Sequence, residues 1–387
     1  ESRSSRGNGL SHLQTAATST QSPTMQVRAS LVREEATVET LYSRECSDLA
    51  KELHTDCLQV AICLDEDSRI LYTVWRDAVI ISLNLTSSAT SAISGNSTSA
   101  PAHTDGTLSN AEFSHPAMTT EDRINGSFIL YLTEHAHLVR RINIGANNVT
   151  TIGRARDIEG KVDGPYSVAC FSTPFGMAVD QRRNMLYLSD WGNHAIRQMN
   201  RTSLVWESIS GNSTSGTGGY QDGPATLAQY SFPTYPVFYD ADGSSVLYIS
   251  DTSNSAIRKL DLDNMEVTTI LGPSDSGSSS TYVDGDVQNA RIRVPMGIAM
   301  DNRYLPPIMY FVEWARGIRK MDLSTQEVTT VAGSEIRGLR DGRALSARFE
   351  NPTMIQVDTN AQPAKQPPSI YISDVRNLRV RVIRYQP

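Results

Sequence analysis

Four cysteines in 387 residues are too few for a dense disulfide framework, and at positions 46, 57, 63 and 170 they form no CxxC pair for a structural zinc. Also missing is any apolar run near the roughly 18 residues that would span a bilayer. The longest are short pieces such as "VAICL" and "AVIISLNL", so no membrane span is expected in this stretch of chain. Basic charge is in short supply too: 35 Lys and Arg stand against 42 Asp and Glu, a net charge of −7. That balance gives no field for gathering phosphate backbones and argues against a nucleic-acid partner. No Gly-rich phosphate loop, GxSxG elbow or HExxH motif occurs. Neither an initiator Met nor a signal-like apolar region is present, which suggests a processed form or a piece of a longer product.

What the chain does have is repetition. "LYLSDWGNHAIR" at 186–197 returns as "LYISDTSNSAIR" at 247–258. Five segments share the pattern D-G-x4-A-x-Φ-x2-P, with Φ aromatic or Ile, beginning at Asp105, Asp163, Asp222, Asp284 and Asp341. Their starts lie 58, 59, 62 and 57 residues apart, so the unit is a little under sixty residues and contains no gaps in its signature. Self-similarity at such a period is the mark of a solenoid or propeller. After each Pro comes an apolar run, as in "PFGMAVD" and "PMGIAMD", then "MLYLSD" or "IMYFVE", then "AIRQMN", then a Val/Thr-rich stretch such as "EVTTVAG". These are four short strands rich in β-branched and aromatic residues and bounded by turn formers. One such sheet cannot bury both faces alone, whereas several set radially can, which predicts an all-β, β-propeller fold.

Residues 58–85 carry the same strand order without the Asp-Gly signature and make a further blade, for six in all. The chain then stops after three strands of the last blade, and "ATVETLY" at 36–42 supplies the missing fourth, so that the N-terminal segment closes the ring. The expected division is an extended tail at 1–35 and one propeller at 36–387. Its blades fall at about 58–100, 101–154, 155–212, 213–273, 274–333 and 334–387 plus 36–42. Within this scheme Cys63 takes a strand position filled elsewhere by Ala and reads as a small buried thiol, while Cys170 carries no signal either way.

With "SDWGNHAIR" at 189–197 and "FSTPFGMAVD" before it, the sequence resembles the NHL-repeat family of β-propellers, over about residues 36–384. The resemblance implies the fold. It implies little about function, since the family includes RNA binders, protein-interaction modules, extracellular domains and a few enzymes. Only one repeat carries the Asn-His pair itself, at Asn193 and His194.

The second strand ends in an acid in five blades and a basic residue follows six or seven positions on: Glu134 with Arg140, Asp190 with Arg197, Asp251 with Arg258, Glu313 with Arg319, and Asp374 with Arg381. In the first blade both are replaced together, by Trp75 and Ile81. Joint presence and joint loss mark them as structural ion-pair partners, because a catalytic clamp would not be copied around a ring. One Asp in each Asp-Gly loop falls short of a calcium cage, so those loops read as turns that position Ala, the aromatic and Pro for packing.

Propeller ligands usually sit at the end that carries the turns between second and third strands. Here those turns hold His135, His137, His194, Trp75, Trp191 and Trp314, with Ser255, Arg316 and Asn377 in the other repeats. Three histidines in two blades make a poor zinc site, so neither a metal nor any other cofactor is expected. Trp75, Trp191, Trp314 and His194 are candidate anchors for a protein interface in a larger assembly. The alternatives are a metal-dependent hydrolase or lyase at the channel mouth and an RNA-binding domain, although Arg76, Arg316 and Arg376 do not make those turns consistently basic. Six N-x-S/T sequons, at Asn84, Asn96, Asn125, Asn148, Asn200 and Asn212, together with a candidate Cys46–Cys57 disulfide, point to the secretory lumen or the exterior. Residues 1–33, rich in Ser, Thr and Arg and nearly free of acid, point instead to an organelle such as the mitochondrion.

Overall fold

The computed structural model describes residues 36–43, 59–75, 79–94, 103–153, 158–211, 217–241, 243–273, 282–314, 316–360 and 366–385. They form six antiparallel sheets of four or five strands, a six-bladed β-propeller. The first strands of neighbouring blades pack on one another around the axis. In order they are Gln59–Asp65, Pro116–Ile124, Pro174–Asp180, Pro233–Ala241, Pro295–Asp301 and Pro352–Asp358.

Why each blade holds is visible in its second strand. Met185–Asp190 and Ser369–Asp374 are buried almost from end to end, with no inside-outside alternation. A blade sits between two others, so both faces are covered, and the sequence there is a continuous apolar run rather than a period-two pattern. Neighbouring first strands approach closely enough that a Cβ on Gly176 would lie 2.5 Å from the Thr234 carbonyl oxygen, and one on Gly297 would lie 2.7 Å from that of Thr353. A methyl group at either site would push adjacent blades apart.

The ring is closed by the opposite terminus. Ala36–Ser43 lies antiparallel to Arg379–Tyr385, paired from Ala36 with Tyr385 to Ser43 with Arg379 with one bulge between Thr40 and Tyr42, and becomes the outer strand of the sixth blade. Val38 of this strand is fully buried. Side-chain bonds also tie blade six to blade one, among them Arg69 to Asp358 at 2.6 Å and the Thr359 backbone N–H to Glu66 at 3.2 Å.

The Asp-Gly loops add what the fifth strand of four sheets consists of. Gly164–Pro165, Gly223–Pro224, Gly285–Asp286 and Gly342–Arg343 each pair with the outer strand of their own blade, covering part of an edge that would otherwise be open. In blade two the same contact is a single bridge between Gly106 and Val149.

Candidate functional site

The repeated charged residues form one construction five times. Arg197, fully buried, donates from Nη1 to Asp190 at 2.8 Å and from Nη2 to the loop residue Asp163 at 2.6 Å. Nη1 and Nη2 also donate to the carbonyls of Cys170 and Val162, and the guanidinium lies over the Phe171 ring at 5.0 Å. Asp163 in turn accepts from the backbone and hydroxyl of Ser208 on the outer strand, each at 3.0 Å. One Arg thus ties the loop and the second and third strands together, and the loop Asp brings in the fourth.

The other four clasps repeat these ion pairs, and all but that of blade five, where Ile292 stands at Φ, repeat the ring as well. Arg140 joins Glu134 and Asp105, Arg258 joins Asp251 and Asp222, Arg319 joins Glu313 and Asp284, and Arg381 joins Asp374 and Asp341. In blade six the outer-strand donor is the Thr40 N–H, so the closing segment takes up the same bond with Asp341. The loop Asp as a second partner of the Arg, and the aromatic Φ as the ring beneath it, are roles that sequence reasoning missed. The fixed spacing of Asp-Gly and Φ was the signal available.

Clasp five is the loosest. Its Arg319–Glu313 contact is 3.2 Å, whereas the other four lie at 2.6, 2.8, 2.7 and 2.8 Å. Asn193, Asn254 and Asn377 each donate to the acid three residues before them, a place taken by Arg316 in blade five. Burial pushes the Glu313 carboxyl up to about 7 against the pull of Arg319, and likewise Asp251 and Asp374 up to about 6.

In blade one the space is filled by Trp75, Val79 and Ile81, which pack with Tyr42 of the closing strand and Leu378 of blade six. Trp75 is 0% exposed and its indole N–H bonds Thr73 at 3.0 Å, so it cannot anchor a partner. An apolar side chain put in the place of a buried acid is buried with it. Trp191 is half-buried against Phe232 of the next blade, with ring centroids 4.3 Å apart, whereas Trp314 remains 44% exposed.

The histidines of these turns do not converge. His137 Nδ1 accepts the Thr173 N–H at 2.9 Å and His194 Nδ1 accepts the Phe232 N–H at 3.1 Å, each a bond to the following blade. Burial and the nearby Lys161 hold His194 below its ordinary value, which keeps that nitrogen an acceptor. No group of three or more His, Cys, Asp or Glu able to hold a metal occurs among the described residues.

The other candidate residues are dispersed. Asn125 sits in an exposed turn and Asn148 opens an outer strand, also exposed. Asn84 and Asn200 are half-buried turn caps, each accepting two backbone N–H bonds. Cys63 and Cys170 are buried and unpaired. Cys46, Cys57, Asn96, Asn212 and Arg76 lie outside the described residues.

A hollow lies at the opposite end of the ring from the turns singled out above. It is a cavity of about 550 Å³ on the axis, lined by the far halves of the first strands and the turns that follow them. Apolar walls come from Met177, Val179, Phe238, Ile298, Met300 and Val357. The polar side chains facing it include Glu66, Glu121, Gln181, Asn302, Arg303 and Gln356. Glu121 accepts from the Cys63 thiol at 2.9 Å and from Gln356 Nε2 at 3.4 Å. Burial raises the carboxyls of both Glu121 and Glu66, and raises the Cys63 thiol well above its ordinary range, so that thiol is inert.

No family profile matches the chain. It is 24% identical over 285 residues to the chloroplastic protein Suppressor of Quenching 1 of Arabidopsis thaliana, a match covering 58% of this chain and 26% of that protein. It is 20% identical over 348 residues to NHL repeat-containing protein 2 of Gallus gallus, covering 69% of this chain and 46% of that protein. The chain therefore spans less than half the length of either curated relative. Among solved structures, a gluconolactonase from Xanthomonas campestris superposes with a TM-score of 0.56 at 11% identity, over 92% of this chain and 93% of that one. At that identity the likeness is one of fold.

Proposed function

Since the chain belongs to the NHL-repeat family of β-propellers, we propose that it is a non-catalytic interaction or structural module whose clasp end meets a protein partner in a larger assembly. The observation that carries this reading is how the side chains at that end are divided. The clasp acids, arginines and asparagines and His137 and His194 are bonded to their own chain, while Val283, Trp314, Ile336 and Leu339 of blades five and six stay between 41% and 57% exposed. Trp314 offers the largest apolar area at small rotamer cost, the usual property of an interface anchor.

Hydrogen exchange on the natively assembled protein tests this. The expected result is protection of the segments around Val283, Trp314 and Ile336 that is lost when the chain is isolated. Protection confined to the outer strands, or metal-dependent turnover of a lactone or ester that is abolished by His194→Ala, would contradict it.

The compartment that fits best is an organelle. In support, one relative is chloroplastic by name, and residues 2–33 contain Arg, Ser and Thr but no acid. Peptides containing Asn125 and Asn148, the two exposed sequons among the described residues, should then be recovered from the native protein without glycan mass. Glycan on either would return the protein to the secretory pathway.

A further inference from the structure

The axial cavity lies at the end of the ring that the proposed interface does not use, and its charges do not balance. Arginines near this end, among them Arg303 in the cavity wall, are matched to acids that are not in the cavity. Arg69 pairs with Asp358 at 2.6 Å, Arg182 with Asp240 at 2.9 Å and Arg303 with Asp301 at 2.8 Å, while Arg123 pairs with Asp65 and Arg201 with Asp122.

The two carboxyls that do face the cavity have only neutral donors. Glu66 accepts from the Thr359 N–H at 3.2 Å and from Asn360 Nδ2 at 2.9 Å. Glu121 has the Cys63 thiol, a weak donor, and the distant Gln356 amide. Glu121 stands alone at its level. The residues in register with it on the other first strands are Leu64, Val179, Phe238, Met300 and Val357. A desolvated carboxylate among apolar side chains is costly unless a cation comes to it.

We propose that this cavity binds a small organic cation, a primary ammonium group on a short apolar stem, with Glu121 as its charge partner, Glu66 at the rim and the apolar walls around the stem. The size suits such a ligand, since about 550 Å³ falls within the roughly 300–1,000 Å³ of small-molecule sites. The thiol contributes no chemistry. It holds the Glu121 carboxylate from beneath and leaves its remaining lone pairs to the ligand. The one cation among the wall's described residues, Arg303, is already held by Asp301 at 2.8 Å, and the Glu66 carboxyl is raised by burial and by the neighbouring charges of Asp358 and Glu121.

Calorimetric titration of the full chain with n-hexylamine, hexan-1-ol and hexanoate tests the proposal. The amine should bind at one site per chain, the alcohol roughly tenfold or more weakly, and hexanoate not at all. Glu121→Gln, which keeps shape and hydrogen-bonding capacity, should weaken the amine roughly tenfold with little change in the alcohol, and Glu66→Gln should weaken it less. Urea midpoints establish that each variant is folded. Equal binding of amine and alcohol, preference for hexanoate, or unchanged amine affinity in both folded variants would overturn the proposal. None of these outcomes bears on the interface at the other end.

Discussion

In blade four, Asp251, Arg258 and Asp222 occupy the place that Trp75, Val79 and Ile81 fill in blade one. The backbone register is the same, since Ile81 faces Thr73 across the strands as Arg258 faces Ile249. Only the chemistry differs. An ionic clasp must find partners for the donors it buries, and in blade four Arg258 does so by recruiting the Asp-Gly loop, two backbone carbonyls and the Tyr230 ring. An apolar cluster needs none of these, and blade one has no Asp-Gly signature before it. The two blades teach that these charges serve the frame, because a frame can be built without them but a half-built clasp cannot stand.

Removing one member of a clasp should therefore have the largest effect. Arg197→Met leaves Asp190 buried beside apolar neighbours and is expected to cost about 4 kcal/mol, read as a lowered urea midpoint with an unchanged slope. Trp75→Ala makes the corresponding cut in the apolar version. It should cost about 3 kcal/mol, from the cavity left at the joint with Tyr42, and should involve no change in pH dependence.

The looseness of clasp five gives a smaller effect that depends on pH. Folding raises the Glu313 carboxyl from its ordinary value of 4.5 to about 7, so the folded state holds this proton more tightly than the unfolded chain does. Its contribution is fully present below about pH 4.5 and is lost as the pH rises through about 7. Glu313→Gln should flatten that part of the stability profile in thermal melts at pH 4.5, 6 and 8. The smallest effect belongs to a single bond between blades: His194→Ala should cost about 1 kcal/mol, with faster exchange at the Phe232 amide as its local signature.

The ring itself was legible in the sequence. Blade number followed from an ungapped signature of fixed spacing, and closure followed from counting three strands at one terminus and a spare one at the other. The clasp was only half legible. Its acid and Arg stand at fixed spacing and disappear together, but the loop Asp looks like an ordinary turn residue, because nothing in a linear pattern says that it reaches a strand some 35 residues on. Trp75 misleads in another way: the sequence aligns it with the clasp acids, but a tryptophan beside a turn suggests exposure, and its burial appears only when blade one packs against Tyr42 and Leu378. Glu121 gives no signal at all. It is one polar residue in a first strand, and its isolation exists only when six strands are brought around an axis.

The central claim, that each clasp acts as a closed unit of the frame, is tested most directly by a double-mutant cycle in blade four. Urea unfolding is measured for Asp251→Leu, Arg258→Met and the two together. The account predicts that each single substitution costs about 3–5 kcal/mol and that the pair costs less than either alone, because blade one shows the same space filled without charge. Costs that simply add, or single substitutions that leave the midpoint where it was, would contradict it.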